Sequence, residues 1–380
     1  MIVNTTATWK NDHFILHTPN ADAEKVWISQ GLMARWGLVI AQLQVEGKDL
    51  GPHAFLIDME LPGVSKINMQ PKTAFNALDN ACITFNQVRL EASAMLGRYS
   101  RMQNGAYVLT TGQPFKFYQL AQRLLSGRIC IAGASLSALM SMKERVEAYM
   151  EMRHVVTAPG TKAPLRKLPY IAQTLAVMDS EAWVHRAFVD LCEREFAAVI
   201  EGDKAVPNSL VDRIASAKIE AIEFATVSAL RLRQLVGAYG LMADSPFGQS
   251  DIFLCMRFAE GDTRVLQQKM ARDILKQAAS PLALLGLIFH CVLGSAARLL
   301  GLMSNNALLK LKRDSLLLRM AWRLLGVRKE KMPEVWLALA ESPYRLAHLH
   351  AVWVIHSAVV AAYGNGKETS LFFNRNYHDG

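Results

Sequence analysis

The residues best placed for chemistry lie in the run RFAEGDTRVLQQKMARDIL, where Glu260 stands just before Gly261 on a short connection into a helix. A carboxylate packed there beside Phe258 and apolar neighbours loses hydration, which raises its pKa toward neutrality and makes it a better proton acceptor. Gly261 lets a ligand or a second stretch of backbone approach closely. Glu260 could therefore serve as a base. It could also do no more than complement the positive end of the following helix, as acids at helix starts commonly do.

Other chemistry-bearing patterns lead nowhere. His348, His350 and His356 are two and six positions apart, so they do not share a helix face as paired zinc ligands would. GNGKET at 364–369 ends like a phosphate loop, but Ala361 stands where the upstream glycine is needed and no Ser or Thr follows Lys367. It reads as a turn. No Gly-x-Ser-x-Gly elbow is present, which argues against a serine hydrolase. The five cysteines form no CxxC pair, so neither a disulfide framework nor a zinc knuckle is expected, and no metal is. A net charge of +9 suits an acidic ligand, but the basic residues are scattered and nucleic acid is not the expected partner.

The elements that must position Glu260 follow from texture. Between Phe14 and about residue 90 the short apolar runs FILHT, GLVIAQLQV, HAFLIDM and ACITFNQVRL are separated by turn-forming residues and read as strands. Ile83 and Phe85 alternate with outward Thr84 and Asn86 at the period of a half-buried sheet, so a barrel or small sandwich is expected. After Pro114 long Leu, Ala, Met, Arg and Glu segments read as helices. One starts at Ser209, with a capping-box pattern to Asp212, carries Val211, Ile214, Ile222, Ala225, Ala229 and Leu232 on one face, and stops at Gly237. Another runs from Thr263 to Gln277 with Asp262 as its cap. Pro281 to Ala297 carries no formal charge but falls short of the roughly 20 apolar residues of a bilayer span. It reads as a buried helix with His290 satisfied in that core, and no transmembrane span is expected. The fold class is α+β, mostly α: a β-barrel-like domain over 1–112, a helical domain over 113–279 and a C-terminal helical domain over 280–380. Neither end shows a targeting signal, and an intracellular, reducing compartment fits best.

FAEGD with the helix QQKMARDILK resembles the catalytic segment of acyl-CoA oxidases and acyl-CoA dehydrogenases, in which a Glu followed by Gly and then Asp, Glu or Thr removes the α-proton of an acyl thioester. Further residues, in family order, resemble the oxidase branch: Asn76, Asp79 and Asn80, the Phe85-x-x-Val88-Arg89 strand, and Asn104-Gly105-x-Tyr107-Val108. The resemblance runs from about Thr5 to about Ala361. It implies Glu260 as catalytic base, FAD as cofactor and a fatty acyl-CoA as substrate.

The resemblance also implies a flavin site. KVWISQG is similar to the family strand that faces the isoalloxazine ring and its ribityl chain, which assigns Trp27, Ser29 and Gly31 to that role. Arg153 matches the arginine on the flavin pyrophosphate, for which a guanidinium fork is apt. Gly237, Tyr239 and Gly240 resemble the glycine loop along the adenine-diphosphate part, although a helix C-cap explains Gly237 equally well. The departures are the expected lack of the family's first helical domain, His154, Val155 and Val156 after the arginine, Ala238 in the glycine loop, and LRKLPYIA at 165–172. They weaken the expected hold on FAD. The family further implies β-oxidation, a homo-oligomer, and a peroxisomal or mitochondrial address. The alternative is a shortened, non-catalytic paralogue acting as a structural or partner subunit.

Overall fold

The computed structural model describes residues 3–110, 123–202, 204–278, 280–324, 327 and 331–378. The chain divides into two compact units, Met1–Arg123 and Leu124–Gly380. The expected boundary at 112/113 lies outside the described residues.

Twelve strands are described. In the first unit they are β1 Thr6–Lys10, β2 His13–His17, β3 Lys25–Ser29, β4 Trp36–Val45, β5 Lys48–Asp58, β6 Val64–Asn68, β7 Asn80–Phe85, β8 Val88–Glu91, β9 Ser100–Gln103 and β10 Ala106–Leu109. A five-stranded sheet has the order β5-β4-β1-β2-β8, a three-stranded sheet the order β3-β7-β6, and β9 and β10 form a hairpin. Only β1 and β4 pair in parallel; the other ladders are antiparallel. The period-two reading holds: Phe14 and Leu16 on β2, and Ala81, Ile83 and Phe85 on β7, are buried in one core with Leu43, Phe55 and Ile57. The sheets do not close into a barrel among the described residues. The two larger sheets stay open: β5 and β8 are the outer strands of the five-stranded one, and β5 is met beyond it only by an isolated bridge from Phe55 to Met95 among the described residues. Tight turns supply the hairpins: Asn11 and Asp12 lie at φ 51° and 60°, and Asn104 and Gly105 at 50° and 77°. These are left-handed values that short hairpin loops require.

The second unit is helical: α1 Arg123–Met152, α2 Pro169–Glu201, α3 Asn208–Leu235, α4 Asp251–Phe258, α5 Thr263–Ala278, α6 Pro281–Leu299, α7 Asn305–Leu324, α8 Met332–Ala338, α9 Ser342–Tyr363 and α10 Lys367–His378. A hairpin of β11 His154–Ala158 and β12 Thr161–Pro164 interrupts it, which the helical texture did not reveal. α3 starts one residue before the expected Ser209, and no side chain caps it. Asp212 instead meets His350 on α9 at 2.6 Å. Asp262 does cap α5, its carboxylate accepting from the Val265 N–H at 3.0 Å. Leu139 and Val146 of α1, Phe188 of α2, Ile214 and Leu232 of α3, Ile355 of α9 and Phe372 of α10 share one core. Helices on both sides of residue 280 thus contribute to the same packing.

α6 departs from its expected burial. Leu287, Cys291 and Gly294 face inward, the last against Leu311 of α7, but Leu282, Leu285, Phe289, Val292 and Leu293 are exposed. Its neighbours cover one side only. His290 is met by Asp314 at 3.0 Å. Together with α1 and α9, this helix is long and apolar enough to cross a membrane by length and composition alone.

Three imidazoles link this core to pH, His185 and His356 buried and His348 half-buried. His348 on α9 accepts the field of Glu220, 3.0 Å away, which holds its pKa above the usual value. His185 and His356 are pushed down to about 4 by burial, and neither ring nitrogen of His356 has a hydrogen-bond partner among the described residues. As pH falls below about 6.5 the unfolded chain protonates these two while the folded chain does not, so stability falls toward pH 4. His356→Leu should raise the thermal unfolding midpoint at neutral pH, because an unsatisfied buried polar group is removed. It should also remove one histidine's share of the acid loss, up to about 3 kcal/mol at pH 4. A midpoint-versus-pH curve parallel to that of the wild type between pH 7 and 4 would contradict this.

Candidate functional site

α4 ends at Phe258 because Ala259 turns extended, with ψ 150°. Glu260 and Gly261 then both take left-handed backbone, at φ 55° and 103°, before Asp262 starts α5. A glutamate in that region is strained by roughly 1 kcal/mol or more and needs its surroundings to hold it there. Gly261 at φ 103° is a position for which no other residue is suited.

The side chain of Glu260 lies on Gly127 of α1. A Cβ at 127 would stand only 2.6 and 2.7 Å from its two carboxylate oxygens. One residue along α1, Arg128 donates from Nε to the Glu260 carbonyl at 3.0 Å, so the guanidinium holds the backbone of the residue whose carboxylate it neighbours. From behind, Lys218 of α3 is fully buried and donates to the carbonyls of Arg257 at 2.9 Å and Gly261 at 2.8 Å, and to the Thr263 hydroxyl at 3.1 Å. Arg257 also pairs with Glu223 of α3. Burial lifts the Glu260 pKa above the usual carboxylate value, and the positive charges of Arg128 and Lys218 pull against that rise without cancelling it. Burial likewise lowers Lys218 to about 8. The outcome is a partly desolvated carboxylate, fixed by backbone contacts, with a raised proton affinity.

The other expected site residues fall into two places. In the first unit Trp27 has φ 60° where the β3–β7 register shifts, and its ring is 61% exposed. Ser29 meets Asn80 at 3.4 Å. Gly31 is sealed rather than open: a Cβ there would lie 2.7 Å from Ala81 Cβ, and Asp79 holds the same turn through the Leu32 N–H at 2.8 Å. In the second unit Arg153 follows the last residue of α1, exposed, with no partner for its guanidinium among the described residues. Tyr149, one turn earlier, stacks on Tyr239 with ring centroids 3.8 Å apart. That stack joins the Arg153 end of α1 to the short turn Gly237–Leu241. Gly237 takes φ 62° after α3 with nothing near its Cβ position, which is the helix-stop role. Gly240 packs on Arg233, whose Nε donates to the Gly240 carbonyl at 2.8 Å. Taken separately, the exposed guanidinium of the second unit has the chemistry to pair with a phosphate, and the exposed indole of the first the chemistry to contact a flat ring. The three glycines have backbone explanations of their own.

Sequence reasoning missed Gly127, Arg128 and Lys218. Lys218 had a signal: it is four residues from both Ile214 and Ile222, on the apolar stripe of its helix. A lysine there needs buried acceptors.

A helical unit that shelters such a carboxylate, paired with a separate two-sheet unit, has the fold of the acyl-CoA oxidases. An acyl-CoA oxidase from Lycopersicon esculentum (tomato) superposes with TM-score 0.81 at 19% identity, over 100% of this chain and 64% of that one. Acyl-CoA oxidase-1 of Caenorhabditis elegans, solved with FAD and ATP, superposes with TM-score 0.75 at 18% identity, over 99% and 60%. Residues 117–275 match the family model for the acyl-CoA dehydrogenase C-terminal domain, and peroxisomal acyl-coenzyme A oxidase 1 of Arabidopsis thaliana is 27% identical over 309 residues, 73% of this chain and 44% of its own length. The chain is similar to acyl-CoA oxidases over about three quarters of its length, and it spans about half the length of the curated relatives it matches.

The Gly127 cradle makes a prediction that needs no cofactor. In Gly127→Ala the new methyl displaces the Glu260 carboxylate, the flexible member of the pair, into water. The carboxyl pKa should fall toward the ordinary value of about 4.3, while the gain in helix propensity offsets most of any loss in stability. A 13C titration of the Glu260 carboxyl, assigned by its disappearance in Glu260→Gln, checks this. An unchanged titration would mean that the carboxylate does not rest on Gly127.

Proposed function

We propose that this chain takes part in flavin-dependent α,β-dehydrogenation of a fatty acyl-CoA, with Glu260 as the base that removes the α-proton. The observation that carries the reading is the Glu260 carboxylate, desolvated on Gly127 beside Arg128. The α-proton of a thioester is hardly acidic in water, so removal needs a base of raised proton affinity held in one orientation. Glu260 takes the proton on its carboxylate; Arg128 holds the backbone that aims it, and its positive charge opposes the rise in pKa that burial causes. Each unit carries residues of a type that would hold a part of FAD: Trp27 by ring contact and Ser29 by hydroxyl donation in the first, and Arg153 by phosphate pairing in the second. When bound, FAD supplies the acceptor for the hydride that leaves the β-carbon. The Arabidopsis relative's name supports a peroxisomal setting.

Assembly belongs to the same reading. Residues 127 and 152 are 25 positions apart on one continuous helix, which places Arg153 about 38 Å along the axis from the seat of Glu260. A single dinucleotide does not bridge that span, so a base and a phosphate-binding arginine serving one cofactor would come from two copies. The apolar face of α6 also favours association.

Glu260→Gln keeps the shape but cannot accept a proton. It should lower acyl-CoA turnover by roughly a hundred- to ten-thousand-fold and leave the visible flavin spectrum of the reconstituted protein unchanged. The wild-type rate should fall as pH drops through a midpoint above the usual carboxylate value of about 4.3, since only the ionised form acts. Full turnover in the mutant would transfer the role elsewhere. Light scattering at micromolar concentration should show a dimer or larger species, and a well-behaved monomer would contradict the two-copy arrangement.

A further inference from the structure

The least expected group in the helical unit is the ammonium of Lys218. It sits on the stripe of α3 that carries Ile214 and Ile222, both fully buried, and its own exposure is 0%. A charge in that position is unfavourable unless every donor is met. All three are: two carbonyls and one hydroxyl take them, at 2.8 to 3.1 Å. The three acceptors belong to one short stretch, residues 257 to 263, which contains the two left-handed residues of the site.

We propose that Lys218 is a positioning residue for Glu260, holding the Arg257 and Gly261 carbonyls and the Thr263 hydroxyl from inside α3 so that the carboxylate stays over Gly127. The proposal rests on the reading of Glu260 as the base. Lys218 acts through backbone, since its three hydrogen bonds flank Glu260 and none is to the carboxylate. The grip is doubled at one end, where Arg257 pairs with Glu223 five residues further along the same helix. It is closed at the other by Thr263, whose hydroxyl accepts from Lys218 and donates to the Arg257 carbonyl at 3.0 Å. Without the ammonium, the Arg257 and Gly261 carbonyls would be left without their buried donor. A strained Glu260–Gly261 pair would then relax toward ordinary backbone and carry the carboxylate off its seat.

The test uses the full chain with Lys218→Met, which fills the same volume without donors, and Thr263→Val, which removes the two hydroxyl links and leaves the two carbonyl contacts of Lys218. The first measurement is limited digestion with a Glu-specific protease, following cleavage after Glu260 against cleavage after Glu46 in the exposed β4–β5 turn as internal reference. Lys218→Met should raise the relative rate at Glu260 by about tenfold or more, and Thr263→Val by less, because a pinned loop resists nicking until it opens locally. This readout needs neither cofactor nor turnover. The second is steady-state kinetics on FAD-reconstituted protein with a long-chain acyl-CoA, run well below the unfolding midpoint. kcat should fall about a hundredfold in Lys218→Met while KM stays within about threefold, the signature of a misplaced base rather than a lost binding site. Equal cleavage in wild type and both variants overturns the proposal, as does an unchanged kcat in a variant whose turn has opened. Failure of the base reading is seen separately, as full activity in Glu260→Gln. If Lys218→Met does not fold, Thr263→Val alone decides by the same two measurements.

Discussion

A fully buried ammonium must have its three donors answered by fixed dipoles, and in this protein that demand shapes the region around the candidate base. The carbonyls of Arg257 and Gly261 face Lys218 from the break between α4 and α5. The break is where the two left-handed residues fall. The backbone that answers Lys218 is therefore the same stretch that carries the strain at Glu260. The loop offers these oxygens inward and turns the Glu260 carboxylate toward α1, while the Asp262 carboxylate caps α5.

What α1 offers in return is an absence. Gly127 interrupts a helix otherwise rich in Leu, Ala and Met, at a propensity cost of roughly 1 kcal/mol relative to alanine. The vacancy of one methyl is occupied by the carboxylate. Arg128 follows at once, so the same turn of helix supplies both the close approach and the counter-charge. The opposed effects of burial and of two nearby cations leave Glu260 with a raised but not extreme proton affinity. A general base working near neutrality requires that balance: enough desolvation to want a proton, and enough positive field to be ionised beforehand.

The strands of the first unit were legible because each buries alternate residues, and ACITF shows that period directly. Asp262 as a cap was legible because the capping signal is local. Burial of α6 was not, since an uncharged helix reads alike whether protein covers two of its faces or one, and coverage depends on neighbours far along the chain. The β11–β12 hairpin escaped because its residues sit between two long helices whose texture swamps a short extended pair. Ser209 was a sound capping candidate, but Pro207 begins the turn and Asp212 is drawn to His350 instead. Glu260 itself stood out through its glycine neighbour. Its partners did not, because they come from residues 127 and 218, and only folding brings those to the loop. Trp27, Ser29 and Arg153 share that limit: their residue types suit a dinucleotide, while Gly31, Gly237 and Gly240 are each accounted for by packing or backbone conformation.

The helix α1 carries the argument from the local site to assembly. It is rigid over thirty residues and buried along one side at Leu139, Val146 and Met150, so its two ends cannot approach each other. One end seats the carboxylate. The other presents Arg153 and the Tyr149–Tyr239 stack, which is fixed to the end of α3 through Gly237. α3 in turn holds Lys218 nineteen residues before that glycine, so both ends of α1 are referenced to the same second helix. The two helices, running in the same sense, thus set the distance between the carboxylate's seat and Arg153, and they share one core. On the proposed reading, a cofactor smaller than that distance would be completed by a second copy, and the argument comes from helix length rather than from any loop.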